Sequence, residues 1–253
     1  MKRRLRWAAG LALLGMAAGQ GAHAQSQNFI GLAAGVLPEY DGAKDYRFLP
    51  VPLINYQSGH FFISPRAGLP ATGLKWDLAP DVTAGLFLGM SLGRDDDADR
   101  IKGLGDIDFH GVYGAYLEWH PGRFSLGAAY RQAMRSGYGG TLELRTSYRV
   151  LQTSRNVVTV GASTLWGSHD DMQTWFGVTR SQAANSEAGL KPYSASAGFK
   201  SAALFTNWRY SLDKDWTVVT TVGVKTLLGD ARDSPIVERE TSAFGSLGIT
   251  YSF

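Results

Sequence analysis

The last thirteen residues of the chain form a segment with two chemically different faces. Thr241, Ala243, Gly245, Leu247, Ile249, Tyr251 and Phe253 fall on one side, and Ser242, Phe244, Ser246, Gly248, Thr250 and Ser252 on the other. A period of two puts successive side chains on opposite faces of a strand. An apolar face with an aromatic end, set against a small and mostly polar one, suits lipid on one side and a wet lumen on the other. A chain ending in Tyr-x-Phe also resembles the terminal strand that the outer-membrane barrel-assembly machinery reads. Tyr251 and Phe253 are therefore candidate assembly signals.

The opposite end is consistent with export. Residues 1–6 carry three arginines and a lysine, residues 7–18 are uncharged and mostly apolar, and Ala22-His23-Ala24 fits a small-x-small cleavage site. This reads as a secretory signal peptide over residues 1–24, cleaved near Ala24, with the folded part spanning residues 25–253. An uncleaved anchor is the alternative, but the apolar run is shorter than the roughly 20 residues that cross a bilayer. The formal charge of +3 includes four cations of the leader, so the mature chain is near neutral and gives no argument for nucleic acid. Cysteine is absent, which removes disulfides, thiol nucleophiles and cysteine metal sites. The 31 glycines and 12% aromatic residues suit a barrel with crowded walls and aromatic girdles.

Other segments alternate in the same way. Leu142, Leu144, Thr146, Tyr148 and Val150 oppose Glu143, Arg145, Ser147 and Arg149; Phe124, Leu126, Ala128 and Tyr130 oppose Ser125, Gly127, Ala129 and Arg131. Ile107, Phe109, Tyr113, Leu117 and Trp119 oppose Asp108, His110, Tyr116 and Glu118. No amphipathic helix gives these patterns. Short turns at residues 57–59, 79–81, 120–122, 152–155 and 213–215 alternate with longer connections at 38–45, 66–71, 94–105, 134–139, 167–192 and 229–240. That is the pattern of short periplasmic turns and long extracellular loops, with both termini periplasmic. The fold class expected is all-β, a single transmembrane antiparallel barrel of about 12 strands, or 10 if the early strands merge. A soluble β-sandwich explains neither the terminal Phe253 nor the alternating connections. Pro50 and Pro52 remove two ladder donors, so a bulge or an exposed edge is expected there. Residues 72–78 read as a short strand. The apolar phase switches near Lys200, where a bulge is expected, and residues 170–177 form a candidate helical turn.

The loop sequences add a resemblance. Gly35-Val36-Leu37-Pro38-Glu39-Tyr40-Asp41-Gly42, followed by Arg47-Phe48-Leu49-Pro50-Val51-Pro52, resembles the opening of the MipA/OmpV family, the MltA-interacting proteins of Gram-negative outer membranes. Lys102-Gly103-Leu104-Gly105-Asp106-Ile107, Trp175-Phe176-Gly177-Val178-Thr179, Ser234-Pro235-Ile236-Val237 and the terminal Tyr251-Ser252-Phe253 extend it in order along the mature chain. The resemblance implies an outer-membrane barrel without enzymatic activity. It also implies a scaffold that joins a lytic murein transglycosylase to a penicillin-binding protein in cell-wall growth. Implied partners are these two enzymes, outer-membrane lipid and lipopolysaccharide, and the barrel-assembly machinery. No cofactor and no nucleic acid are implied.

Candidate chemistry lies on the lumen face: Asp106, Asp108, His110, Glu118, Arg131, Glu143, Arg145, Arg149, Arg209 and Lys225. Asp106, Asp108 and His110 would point the same way on a strand, either as a metal or acid–base site or as polar lining paired with neighbouring cations; the second is expected because barrel lumens are polar. The inward cations would either favour anions in a narrow pore or, with the inward carboxylates, form an ion-paired plug, and a barrel this narrow favours the plug. Arg94–Arg100 reads as a solvated acidic loop, without the spacing of a calcium loop. Ser168-His169-Asp170-Asp171 has hydrolase residue types, but adjacent residues do not converge on one reacting atom. No catalytic or metal-binding residue is assigned. The readings kept open are a scaffold, a narrow pore for small, anionic solutes and an outer-membrane hydrolase. Trp76, Trp119, Trp166, Trp208, Trp216 and Tyr210 fit interface girdles.

Overall fold

A computed structural model describes residues 28–66 and 69–253. The expected leader lies outside them. Twelve strands close into one antiparallel barrel, each paired to its sequence neighbours and β1 paired to β12. The strands are β1 (Phe29–Pro38), β2 (Tyr46–Ser58), β3 (Phe61–Arg66), β4 (Leu69–Ala79), β5 (Val82–Ser91), β6 (His110–Trp119), β7 (Phe124–Ala133), β8 (Gly140–Gln152), β9 (Asn156–Gly167), β10 (Gly198–Ser211), β11 (Trp216–Leu227) and β12 (Thr241–Ser252). Helices α1 (His169–Phe176), α2 (Arg180–Asn185) and α3 (Gly229–Arg232) stand in the connections. No helix among the described residues is long and apolar enough to cross a membrane. The described residues cross the bilayer as strands, whose closure satisfies backbone donors that lipid cannot.

The period of two is explicit in burial. In β12, Ser242, Phe244, Thr250 and Ser252 are enclosed while Leu247, Ile249 and Tyr251 are exposed on the outer wall. The outer aromatics gather where the short turns are. Trp76 stacks near His60, Trp119 near Phe124, Trp208 near Tyr210, and Trp216 near Tyr251. These amphipathic rings make a girdle at one membrane interface. Inside, large rings are accommodated by glycines on adjacent strands. A Cβ at Gly161 would stand 2.5 Å from the Phe205 ring, and one at Gly223 would stand 2.4 Å from the Phe244 ring. Much of the glycine content is therefore space for aromatic side chains in a narrow lumen.

Three expectations meet the structure differently. The strand read from Ile107 begins only at His110, because Ile107 forms an isolated bridge with Arg94 inside a loop. The segment read as short, residues 72–78, belongs to an 11-residue strand, and the short strand is β3 with six residues. The connection read as long at residues 66–71 is tight, since β3 ends at Arg66 and β4 begins at Leu69, with those two residues paired. Of the two outcomes expected at the proline pair, the structure shows the edge. β2 pairs with β1 in unbroken register but meets β3 only through Tyr56–Ser58. The Gln57 amide donates to Asn28 Oδ1 on the β1 side. With a period of two, odd-numbered β2 amides point to β1, and positions 50 and 52 point to the open seam. Proline there leaves no unsatisfied donor facing lipid. The bulge expected near Lys200 is present as a register shift between Phe199 and Ser201, which turns Lys200 and Ser201 both inward.

Candidate functional site

The lumen is crossed by ion pairs. Glu143 on β8 lies 2.8 Å from Arg145 on the same strand and 3.7 Å from Arg131 on β7. The Arg145 guanidinium also sits 5.3 Å from the Phe205 ring centroid on β10. Glu118 on β6 takes a 2.6 Å contact from Arg66 on β3, with His120 at 3.5 Å, and Arg66 covers the Tyr116 ring at 3.6 Å. Nearer the long loops, Lys200 meets Asp171 at 2.6 Å and Lys225 meets Asp41 at 2.5 Å. Such pairs do little for stability when solvated, but in an enclosed lumen neither partner is tolerated alone.

These contacts divide the interior. On the loop side, a cavity of about 160 Å³ is lined by Arg66, His110, Arg131, Thr141, Leu165 and Lys200, among others. On the turn side, a cavity of about 40 Å³ is lined by Arg123, Ser147, Arg149, Thr159, Asn207 and Arg209, among others. The two share no lining residue. Along β8, Thr141 borders the first and Ser147 the second, with Glu143 and Arg145 inward between them. Along β10, Lys200 borders the first and Asn207 the second, with Ala203 and Phe205 buried between. A charged bar and an aromatic ring separate the two spaces.

The sequence candidates are distributed unevenly over this arrangement. Glu118, Arg131, Glu143 and Arg145 make the central pairs, Lys225 pairs upward with the Asp41 loop, and Arg149 and Arg209 line the smaller cavity. Asp106, Asp108 and His110 do not share a strand face, because two of the three precede β6. Asp106 Oδ1 instead accepts the Asp96 amide, Asp108 pairs with Arg135 at 2.6 Å, and His110 Nδ1 contacts the Asp108 carbonyl. Asp96, in the loop read as solvated, accepts the amides of Gly103 and Gly105 and holds the loop in shape. Ser168 is the N-cap of α1, accepting from the Asp171 amide, while Asp171 is buried against Lys200. Those hydroxyl and carboxylate groups are engaged in structure.

The long connections fold together over the barrel mouth around a second apolar core. Tyr40, Ile101, Leu104, Met172, Phe176, Val178, Leu190 and Ile236 are all buried in it. Backbone acceptors are met across loops: Tyr40 donates to the Ile236 carbonyl, Ser234 to Phe176, Arg94 to Trp175 and Arg100 to Pro235. Gly42, at φ 101°, accepts the amides of Glu238 and Arg239. A side chain at Gly103, at φ +88°, would meet the Asn185 carbonyl at 2.1 Å. Burial pushes the Arg94 guanidinium down to about 10, against the opposing pull of Tyr40, Asp96 and Asp41. Burial raises the Asp41 carboxyl, but Lys225, Lys200 and Arg47 outweigh it and hold the group below its usual range. At Asp171 the balance reverses, and burial outweighs Lys200 and keeps the carboxyl above its usual range.

The segments meeting in this cap are the four loop motifs noted in the sequence. The family model described as "MltA-interacting protein MipA" matches residues 30–253. The chain belongs to the MipA family. Curated relatives named "MltA-interacting protein" from Escherichia coli K12 and from Shigella flexneri are each 26% identical over 246 residues, covering 92% of this chain and 92% of the relative. Among solved structures, a NanC porin aligns with TM-score 0.47 and 10% identity, covering 88% of this chain and 98% of that one. A bacterial polysaccharide outer membrane secretin aligns with TM-score 0.46 and 11% identity, covering 91% and 99%.

Several site residues escape sequence reading. Arg66 follows Pro65 at the end of a six-residue strand too short to show a period. Asp41 and Asp171 lie in connections, where periodicity carries no facing information. The phase switch at Lys200 was the one signal that marked an additional inward cation.

Proposed function

We propose that this chain is a non-enzymatic outer-membrane barrel that serves as a docking platform for a periplasmic murein enzyme, a lytic transglycosylase of the kind its relatives' name refers to, and through it a penicillin-binding synthase. The observation that carries this is the interior. Glu143, Arg145 and Phe205 stand between two cavities that share no lining residue, with Arg131 lining the outer one, beneath a folded cap. A barrel filled in this way is suited to presenting its ends rather than to moving solutes. Lipid and lipopolysaccharide surround the outer wall, and the assembly machinery reads the strand ending in Tyr251 and Phe253. Cleavage near Ala24 precedes assembly.

The test is crosslinking in intact envelopes at native expression, with mass spectrometry of the captured proteins. Recovery of a lytic transglycosylase or a penicillin-binding protein is expected. Recovery of lipopolysaccharide and other barrels alone would overturn the platform. Planar-bilayer recordings separate the pore reading, for which steady single-channel conductance of the unmodified barrel would be required.

A further inference from the structure

The strand β3 is too short for the membrane it stands in. It starts at Phe61, beside the His60–Trp76 contact of the girdle, and ends six residues later at Arg66. A membrane strand needs about 9–11 residues, so the turn from Arg66 to Leu69 falls at hydrocarbon depth. The strand β2 continues past that turn. Among the described residues, Tyr46–Asn55 pair with β1 and with no strand on the other side. The wall therefore has a window above the β3–β4 turn, with β2 as one edge. Pro50 and Pro52 stand on this edge. Pro52 lies opposite Leu32, and Leu32 opposite Ile249, both exposed apolar residues of the outer wall. Without those two N–H donors the edge suits contact with hydrocarbon, whereas a docked strand would use them.

Behind the window the lining is apolar. Leu49, Val51 and Leu53 are buried on the inner face of β2, and Leu69 and Leu92 pack against them. Leu69, Ala71, Phe87 and Leu92 also line the loop-side cavity, and Met90, an exposed residue of the outer wall, borders it too. Arg66, at the lower rim of the window, turns its guanidinium onto the Tyr116 ring and Glu118. The charged Arg131, Asp171 and Lys200 reach the cavity from β7, α1 and β10, which do not border the window. We infer that this window admits the end of one acyl chain of a bilayer lipid into the loop-side cavity. An apolar cavity of about 150 Å³ takes one benzene ring. A volume of about 160 Å³ thus holds on the order of six carbons of a chain end. The occupant is a lipid tail because the window opens at hydrocarbon depth, continues the apolar outer wall and leads to an apolar lining. The site goes beyond the platform reading and stands whether or not a murein enzyme docks at the turns.

The experiment uses the full barrel refolded into vesicles of phosphatidylethanolamine and phosphatidylglycerol. A small fraction of the phospholipid carries a diazirine at the end of one acyl chain. After illumination, peptide mass spectrometry locates the adducts. Adducts are expected on the inward residues Ala71 and Phe87 and on Trp175 of the cavity, beside those on outer-wall residues such as Leu204 and Leu247. Ala71→Phe fills the cavity behind the window and should lower the inner adducts at least fivefold, with the outer ones unchanged. A heat-modifiability gel shows whether that variant folds, and Ser91→Phe, at another lining position, stands in if it does not. Adducts confined to outer-wall residues would overturn the site. So would inner adducts that persist at full level in a folded cavity-filling variant, or that fall on Thr159 and Asn207 of the turn-side cavity instead. Inner adducts from a soluble diazirine fatty acid, with none from the phospholipid, would overturn the bilayer as the source of the chain.

Discussion

At the loop end of the barrel, Lys200 and Lys225 each reach up to a carboxylate supplied by a loop, while at the turn end Arg149 and Arg209 share a wall with Arg123 and no acid. The loop end is closed by its own apolar core, and among the described residues the connections at the turn end are short. Buried cations are tolerated only when paired, and at the loop end the loops themselves supply the carboxylates. The outer end is held by an apolar core and loop-supplied ion pairs, and the inner end is lined by arginines and neutral polar groups.

The largest expected effect comes from removing the boundary between the ends. Glu143→Gln removes the carboxylate that Arg131 and Arg145 share in an enclosed lumen, and breaking a buried pair in this way costs about 3–5 kcal/mol. Urea unfolding of the refolded barrel should show that loss, and bilayer recordings should show conductance absent from the parent. A barrel of unchanged stability would mean that water already solvates the pair, and the two ends would then be one continuous space. Next in size is Lys200→Met. It strands the Asp171 carboxylate, whose side chain is 5% exposed, at a cost of about 3 kcal/mol. Hydrogen exchange should locate the damage in α1 and the cap, with the turns unaffected.

How far these features were legible follows from how directly each depends on period. The polarity of the lumen and the bulge at Lys200 come from side-chain alternation, and the strand count from the alternation of short and long connections, both of which are local and survive without knowledge of partners. The plug residues Arg131, Glu143 and Arg145 were readable as inward-facing for the same reason, although which carboxylate each arginine chooses is a non-local fact. The cap was not legible. Tyr40, Ile101, Phe176 and Ile236 lie far apart in sequence and meet only once the barrel brings the loop ends together. Ile107 through Phe109 continue the alternation of β6, yet the Arg94–Ile107 bridge and the Asp96–Asp106 contact hold that stretch in the loop. Alternation is necessary for a strand and does not fix its end. The motifs that carry the family resemblance are thus mostly cap parts, which accounts for their order along the chain and for the weakness of each alone.

Acid should open the capped end in two steps of opposite sign. Asp171 has a raised carboxyl, so the folded state binds its proton before the unfolded chain does, and folding is favoured as pH falls toward the ordinary value of 3.8. Asp41 has a lowered carboxyl, so its stabilising contribution is complete above 3.8 and is lost as pH falls below that value through the folded one. Hydrogen exchange around residues 40–45 should therefore stay protected down to about pH 4 and rise below it, given that ordinary value. Loss of protection well above pH 4 would place the Asp41–Lys225 contact in solvent and weaken the contrast between the ends.

The smallest effect is the most discriminating. Arg209→Gln removes a charge whose charged neighbour is another arginine, so its loss leaves no counter-charge stranded. Its stability should lie within about 0.5 kcal/mol of the parent, or slightly above it as repulsion with Arg149 is relieved. Lys200→Met, also a removal of one lumen cation, should cost several times more in the same urea series. If Arg209→Gln proves as damaging as Lys200→Met, then Arg209 has a structural partner within the barrel and the inner end is as complete as the outer. If it is neutral, the charge at Arg209 contributes little to the fold, and the ion pairs that hold the barrel are those of its centre and its loop end.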